Sequence, residues 1–78
     1  MTIAYVLAKV QAGKDKEVLK EVKEVRGVRQ ATPTYGVYDL HVEVSFDTME
    51  ELDKFIFDKI RRVPGINETV TLIAFQGI

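Results

Sequence analysis

Three ionisable side chains occupy alternate positions in the segment YDLHVEVSF. They are the first candidates in this chain for proton transfer or metal binding. Asp39, His41 and Glu43 are two residues apart, so in a strand they project from one face. A histidine between two carboxylates has the chemistry of a general base or of a metal ligand. A solvated strand or a polar stripe where two sheets meet also accounts for this pattern. Because the chain has one His and no Cys, we do not expect a metal site.

Two other segments have the composition of a site for a zwitterion. In the turn from Thr34 to Asp39, backbone N–H groups around Gly36 are able to face an anion, while Asp39 is able to pair with an ammonium. Thr69 and Thr71 project from one face of a later strand and offer two hydroxyls. Ordinary hairpin residues and β-branched strand residues also explain both segments. Composition therefore leaves the two interpretations open.

Length and charge narrow the functional class. Seventy-eight residues form one domain, and eleven basic against twelve acidic residues give a net charge of −1, which offers no general attraction for nucleic acid. No apolar run approaches the roughly 20 residues that span a bilayer, and the start of the chain lacks the pattern of a secretion signal. The five glycines form no phosphate-binding motif. These features predict a cytoplasmic domain that has no cofactor and contacts neither membrane nor nucleic acid.

Hydropathy periodicity predicts the elements that position these residues, in the order βαββαβ. The first helix covers residues 14–26, and the second begins at Asp47-Thr48 and ends at Pro64-Gly65; the predicted strands are Thr2–Val10, Val28–Tyr35, Tyr38–Phe46 and Asn67–Phe75. Pro33 places the second strand at a sheet edge, because proline cannot donate to a ladder. Thr48 and Glu51 have the spacing of a capping box. The buried stripe of the second helix is predicted to be Leu52, Phe55, Ile56, Ile60 and Val63.

This order predicts an α+β fold, the ferredoxin-like βαββαβ sandwich of the dimeric α/β-barrel type. A four-stranded antiparallel sheet carries both helices on one face. The other face is expected to expose Val or Ala side chains of the first strand, an apolar surface larger than a monomer usually leaves in water. A small domain without cysteine has few other means of stabilisation. We therefore expect a second copy to cover this face, sheet against sheet, in a two-fold dimer.

Two motifs in register resemble the effector-binding domain of the Lrp/AsnC family of transcription regulators, also called the RAM module. The first is a Gly, a variable residue, an aromatic, an Asp and an apolar residue, which here is Gly36-Val37-Tyr38-Asp39-Leu40. The second is an apolar-Pro-Gly-apolar turn followed by Thr-x-Thr, which here runs from Val63 to Ile73. The likeness extends from Ala4 to Phe75. Tyr35 stands where the family usually has a small residue, which affects the expected size of the pocket.

The resemblance implies both an assembly and a binding site. Dimers with facing sheets are expected to form tetramers or octamers, with an amino-acid effector bound between dimers. Carried over by position, Gly36 and Tyr38 contact the effector through backbone or ring, Asp39 takes its polar groups, and Thr69 and Thr71 line the opposite wall. Full regulators of the family carry an N-terminal helix-turn-helix domain, whereas this chain starts at the first strand. It is accordingly predicted to be a single RAM domain over residues 1–78.

These observations favour a non-enzymatic regulatory module. It is predicted to oligomerise and bind an amino acid, and so to modulate amino-acid metabolism or transcription by self-assembly or by co-assembly with a full-length regulator. The alternative is a small dimeric α/β-barrel enzyme that uses His41 as a base in a cavity between sheets. A purely structural or protein-binding module is a third possibility. The ACT domain, which shares the topology and binds amino acids, is a rival for the family but not for the function.

Overall fold

A computed structural model describes residues 1–75 of the chain, and its elements follow the order βαββαβ. The strands are β1 (Thr2–Val10), β2 (Val28–Pro33), β3 (Leu40–Phe46) and β4 (Ile66–Ile73). Helix α1 covers Asp15–Lys23, and α2 covers Met49–Lys54 before it continues into a π-helical turn (Phe55–Lys59) and a 3-10 turn (Ile60–Arg62). The predicted element order is confirmed. Instead of one uniform second helix, however, the chain changes its winding twice before β4.

The four strands form one antiparallel sheet in the order β2-β3-β1-β4. β1 is central, and Ala4 pairs with Val44 of β3 on one side and with Ile73 of β4 on the other. β2 lies at an edge, as predicted from Pro33, because an edge strand has one side on which no ladder hydrogen bond is needed. This arrangement is the predicted ferredoxin-like topology.

The helices bury their apolar stripes against one face of the sheet. Val18 and Val22 of α1 are almost fully buried. The five residues predicted for the second stripe, Leu52, Phe55, Ile56, Ile60 and Val63, are all buried. The N-terminus of α2 is capped as predicted, since the Glu51 N–H donates to Oγ1 of Thr48 at 3.2 Å. Local sequence signals therefore predict which helix residues enter the core.

The expectation about the uncovered face of β1 is wrong. Ala4, Val6 and Ala8 are fully buried beneath the helices, whereas Ile3, Tyr5 and Leu7 belong to the open face by strand alternation. Both sets are apolar, so alternation alone could not assign them to a face. The smaller side chains lie on the helix side, where they leave room for the valines and isoleucines that the helices insert.

The hairpin between β2 and β3 also differs from expectation. β2 ends at Pro33 and β3 begins at Leu40, so residues 34–39 form a loop that was predicted to consist largely of strand. Tyr38 and Asp39 accordingly precede β3 instead of belonging to its alternation. The last strand is likewise shorter than predicted, because it ends at Ile73.

Candidate functional site

The predicted binding loop, residues 34–39, is tied together by Thr34. Its N–H donates to the carbonyl of Asp39 at 2.9 Å, and its Oγ1 donates to the carbonyl of Tyr38 at 2.8 Å. At the tip, Gly36 has φ +117°, a value that L side chains rarely adopt. Tyr35 and Val37 beside it are exposed. The loop is therefore closed at its base, while its tip presents two apolar side chains to solvent.

Asp39 has a structural contact that the sequence did not predict. Its Oδ2 accepts a hydrogen bond from the N–H of Val10 at 2.8 Å, and its own N–H donates to the carbonyl of Ala8 at 2.9 Å. The carboxylate is half-buried at the end of β1. One carboxylate has several acceptor positions, so the bond to Val10 leaves others for a ligand. Asp39 is thus held in a fixed position, with part of its acceptor capacity still available.

The aromatic ring of Tyr38 lies at the open face of the sheet. The ammonium of Lys9 is 5.8 Å from the ring centroid, and Lys9 follows Ile3, Tyr5 and Leu7 in the alternation that places side chains on that face. Tyr38 is half-buried. Its ring is therefore available at the surface where the sheet lacks helices.

Thr69 and Thr71 lie on the opposite side of β1 from the loop. They pair with Ala8 and Val6 in the register of β1 and β4, and both are half-buried on the helix side at the sheet edge. A cavity of about 350 Å³ adjoins the start of β4; it is lined by Arg61, Ile66, Asn67, Glu68 and Thr69. In the sequence, Arg61 is recognisable only as part of the basic pair Arg61-Arg62. No local pattern indicates that the 3-10 turn places it beside β4.

The two predicted halves of the site do not meet within one chain. Asp39 bonds to Ala8 from the β3 side, and Thr69 pairs with Ala8 from the β4 side. Two strand spacings therefore separate their backbones, which is roughly 10 Å. Tyr38 lies at the open face, whereas Thr69 and Thr71 lie on the helix side, so the two halves also face opposite sides of the sheet.

His41, the candidate base, lies on the open face and is exposed. It lines a cavity of about 270 Å³ with Tyr5, Gln30, Thr32, Thr34 and Glu43. Asp39 is not its partner, because the Asp39 carboxylate turns toward Val10. Within residues 1–75, no three His, Asp or Glu side chains are grouped closely enough to hold a metal ion.

The open face has an apolar half and a polar half. On β1 and β4 the alternation places Ile3, Tyr5, Leu7, Val70 and Leu72 on this face, and none of them is buried. On β2 and β3 the same face carries Gln30, Thr32, His41, Glu43 and Ser45. A sheet that docks on this face therefore meets an apolar stripe along β1 and β4.

The four-stranded antiparallel sheet, with both helices on one face and an apolar stripe on the other, defines a small ferredoxin-like α+β domain. Over the described part of the chain, no helix combines the length and apolar character needed to cross a membrane. The family model of the Lrp/AsnC ligand binding domain matches residues 3–78. The chain belongs to this family.

Individual relatives agree with this assignment. The chain is 34% identical over 74 residues to the HTH-type transcriptional regulator FL11 of Pyrococcus abyssi, covering 95% of this chain and 48% of FL11. It thus spans about half the length of the curated relatives it matches. The crystal structure of FFRP-DM1 superposes with a TM-score of 0.92 at 43% identity, covering 96% of this chain and 100% of that one.

A more distant structure shares the fold. The transcriptional regulator NMB0573 of Neisseria meningitidis, solved in complex with L-Met, has a TM-score of 0.85 at 16% identity, covering 99% of this chain and 51% of that one. The predicted family and fold are therefore confirmed, and FL11 and NMB0573 are named as transcriptional regulators.

Proposed function

We propose that this chain is a regulatory module that dimerises through its open sheet face and binds an amino-acid effector at the seam between dimers. Gly36, Tyr38 and Asp39 form one wall of the binding site, and Thr69 and Thr71 of another copy form the opposite wall. By assembling with itself or with a full-length regulator of the same family, the module changes the regulator's activity in response to the amino acid.

The observation that carries this proposal is the separation of Asp39 and Thr69 across β1. Each group has unused polar capacity, yet within a single chain the two flank β1 from opposite sides. A seam between copies brings the two walls together and makes binding depend on assembly. The ligand then stabilises whichever assembly contains the complete site, since ligand that binds only one state shifts the equilibrium toward it.

The apolar half of the open face supplies the attraction within each dimer. Tyr5 and Leu72 are neighbours in the β1–β4 register, and their exposed fractions are 37% and 51%. Burial of apolar surface stabilises by about 25 cal/mol per Å², and sheet-on-sheet contact removes most of this stripe from water. A 78-residue chain without cysteine gains from that contact what larger domains obtain from their own core.

The effector class follows from the chemistry of the walls and from the family. A carboxylate at Asp39, hydroxyls at Thr69 and Thr71, and backbone N–H groups at Gly36 together complement an ammonium and a carboxylate. NMB0573 was crystallised with L-Met, so L-methionine is the first amino acid to test.

The proposal is tested by titrating the purified chain with the common L-amino acids in a calorimeter and measuring its mass by sedimentation with and without each one. Binding of at least one amino acid, accompanied by a change in assembly, is expected. Thr71→Val, which removes one hydroxyl at nearly constant volume, should weaken that binding without changing the fold. If no amino acid binds at millimolar concentration and the mass never changes, the proposal is wrong.

A further inference from the structure

The guanidinium of Arg61 is held in place by an aromatic ring. Its Cζ lies 4.6 Å from the ring centroid of Phe57, which is 56% exposed. Phe57 belongs to the π-helical turn and Arg61 to the 3-10 turn that follows. A planar guanidinium stacks well on an aromatic face. The ring thus orients the arginine. This contact also gives a role to Phe57, a large aromatic side chain that is not part of the core.

Arg61 has no acidic partner within the described residues. The ion pairs found there join Lys14 to Glu17 at 3.6 Å and Arg29 to Glu43 at 3.7 Å. A guanidinium carries five N–H donors in a fixed fork that matches a carboxylate. A guanidinium that stacks on an aromatic ring uses its face and keeps the donors at its edge. Arg61 is therefore an oriented cation whose hydrogen-bonding groups are available to a ligand.

The cavity beside Arg61 is lined by this basic residue and by polar residues of β4. It measures about 350 Å³ and is lined by Arg61, Ile66, Asn67, Glu68 and Thr69. This volume falls within the range of small-molecule sites, about 300 to 1,000 Å³. Arg61 gives this cavity a cation, which suits a ligand carboxylate.

We propose that Arg61 binds the α-carboxylate of the effector and that Phe57 positions Arg61 for this role. The inference rests on the proposed function, because Thr69 belongs both to this cavity and to the wall proposed above. Arg61 adds a charged group from the turn between α2 and β4. Without it, the wall formed by Thr69 and Thr71 offers only hydroxyls to the ligand.

The test compares the acid form of a ligand with its amide. Calorimetry with the common L-amino acids identifies the one that binds the unaltered chain best, and the same titration is repeated with its α-carboxamide. Because a hydrogen bond to a charged group contributes strongly, the amide should bind about 10- to 100-fold more weakly. In Arg61→Ala the amino acid should lose a similar factor, and the difference in affinity between acid and amide should become much smaller.

Two further variants separate the role of Arg61 from general effects. Arg62→Ala removes the same charge one residue away, where the side chain lines a different cavity with Glu21 and Asp58; it should bind like the unaltered chain. Phe57→Leu keeps an apolar side chain but removes the ring, so affinity should fall by less than in Arg61→Ala, with the preference for the acid retained. Circular dichroism melting curves verify that each variant folds.

The outcomes distinguish this inference from the proposed function. If the unaltered chain binds an amino acid and Arg61→Ala keeps the same preference for acid over amide, Arg61 is not the anchor, while the proposed function stands. If Arg61→Ala and Arg62→Ala weaken binding equally, only the overall charge matters and the inference is also wrong. If the unaltered chain binds no amino acid, both proposals fail.

Discussion

The carboxylate of Asp39 closes the end of β1 by accepting a hydrogen bond from the N–H of Val10, 29 residues earlier in the chain, at 2.8 Å. The β1–β3 ladder ends at the pair Ala8–Leu40. Val10 is two residues beyond Ala8, so its N–H points to the same side and has no strand carbonyl opposite. The register of β1 against β4 also shifts between Lys9 and Val10. A residue of the predicted binding loop therefore also holds the sheet together.

This bond predicts a stability cost for losing the Asp39 side chain. Asp39→Ala leaves the Val10 N–H without its partner in a half-buried position, which should lower the free energy of unfolding by about 1 to 3 kcal/mol. Asp39→Asn retains an acceptor oxygen and should lose less. Urea unfolding measures both, with Asp53→Ala on the exposed face of α2 as the control. Equal effects of the Asp39 and Asp53 alanine variants would contradict the contact.

Gly27 and Gly13 are a matched pair for testing how the space around a glycine affects the stability lost on substitution by alanine. Both have positive φ, +97° and +86°, but a Cβ on Gly27 would overlap the ring of Phe46, whereas one on Gly13 would meet nothing within 4 Å. Gly13→Ala should lose about 1 kcal/mol from backbone strain alone. Gly27→Ala should lose about 2 to 5 kcal/mol, because the ring must also move. Thermal unfolding compares them, and similar losses would contradict the close approach.

The cap of α2 predicts a smaller and reversible effect. Thr48→Ala removes the acceptor of the Glu51 N–H and should lower the free energy of unfolding by about 1 kcal/mol. Thr48→Asp restores an acceptor at the helix N-terminus and should recover most of this loss. The three proteins are compared by urea unfolding. A Thr48→Asp variant no more stable than Thr48→Ala would show that the cap contributes nothing.

The proposed dimer interface on the open sheet face predicts that a charge introduced there weakens dimerisation. Leu7→Lys places a cation in the apolar stripe between His41 and Val70, its neighbours in the register. Burying an unpaired charge costs several kcal/mol, so the dimer dissociation constant should rise at least about 100-fold. Sedimentation over a range of concentrations measures it. Asp53→Lys on the helix side is the control, and dissociation of both variants to the same extent would place the interface elsewhere.

Parts of this protein were predictable because their causes are local. Pro33 cannot donate to a ladder, so β2 had to be an edge strand wherever the rest of the chain went. The spacing of Thr48 and Glu51 specifies a helix N-terminus through bonds within one turn. The stripe that includes Leu52 and Ile60 repeats with the helical period. These patterns were sufficient to predict the element order and the ferredoxin-like fold, whereas the family was predicted from the resemblance of two motifs, Gly36–Leu40 and Val63–Ile73.

The remaining features depend on which distant residues meet, and only the tertiary structure decided them. β1 is apolar on both faces, so its alternation did not show that Ala4 and Ala8 would lie beneath the helices. The bond from Val10 to Asp39 joins residues whose separation in sequence carries no signal. Arg61 reaches the cavity at β4 from a 3-10 turn that no local pattern predicted. Periodicity records the direction of a side chain relative to its own backbone, whereas packing determines what it meets there.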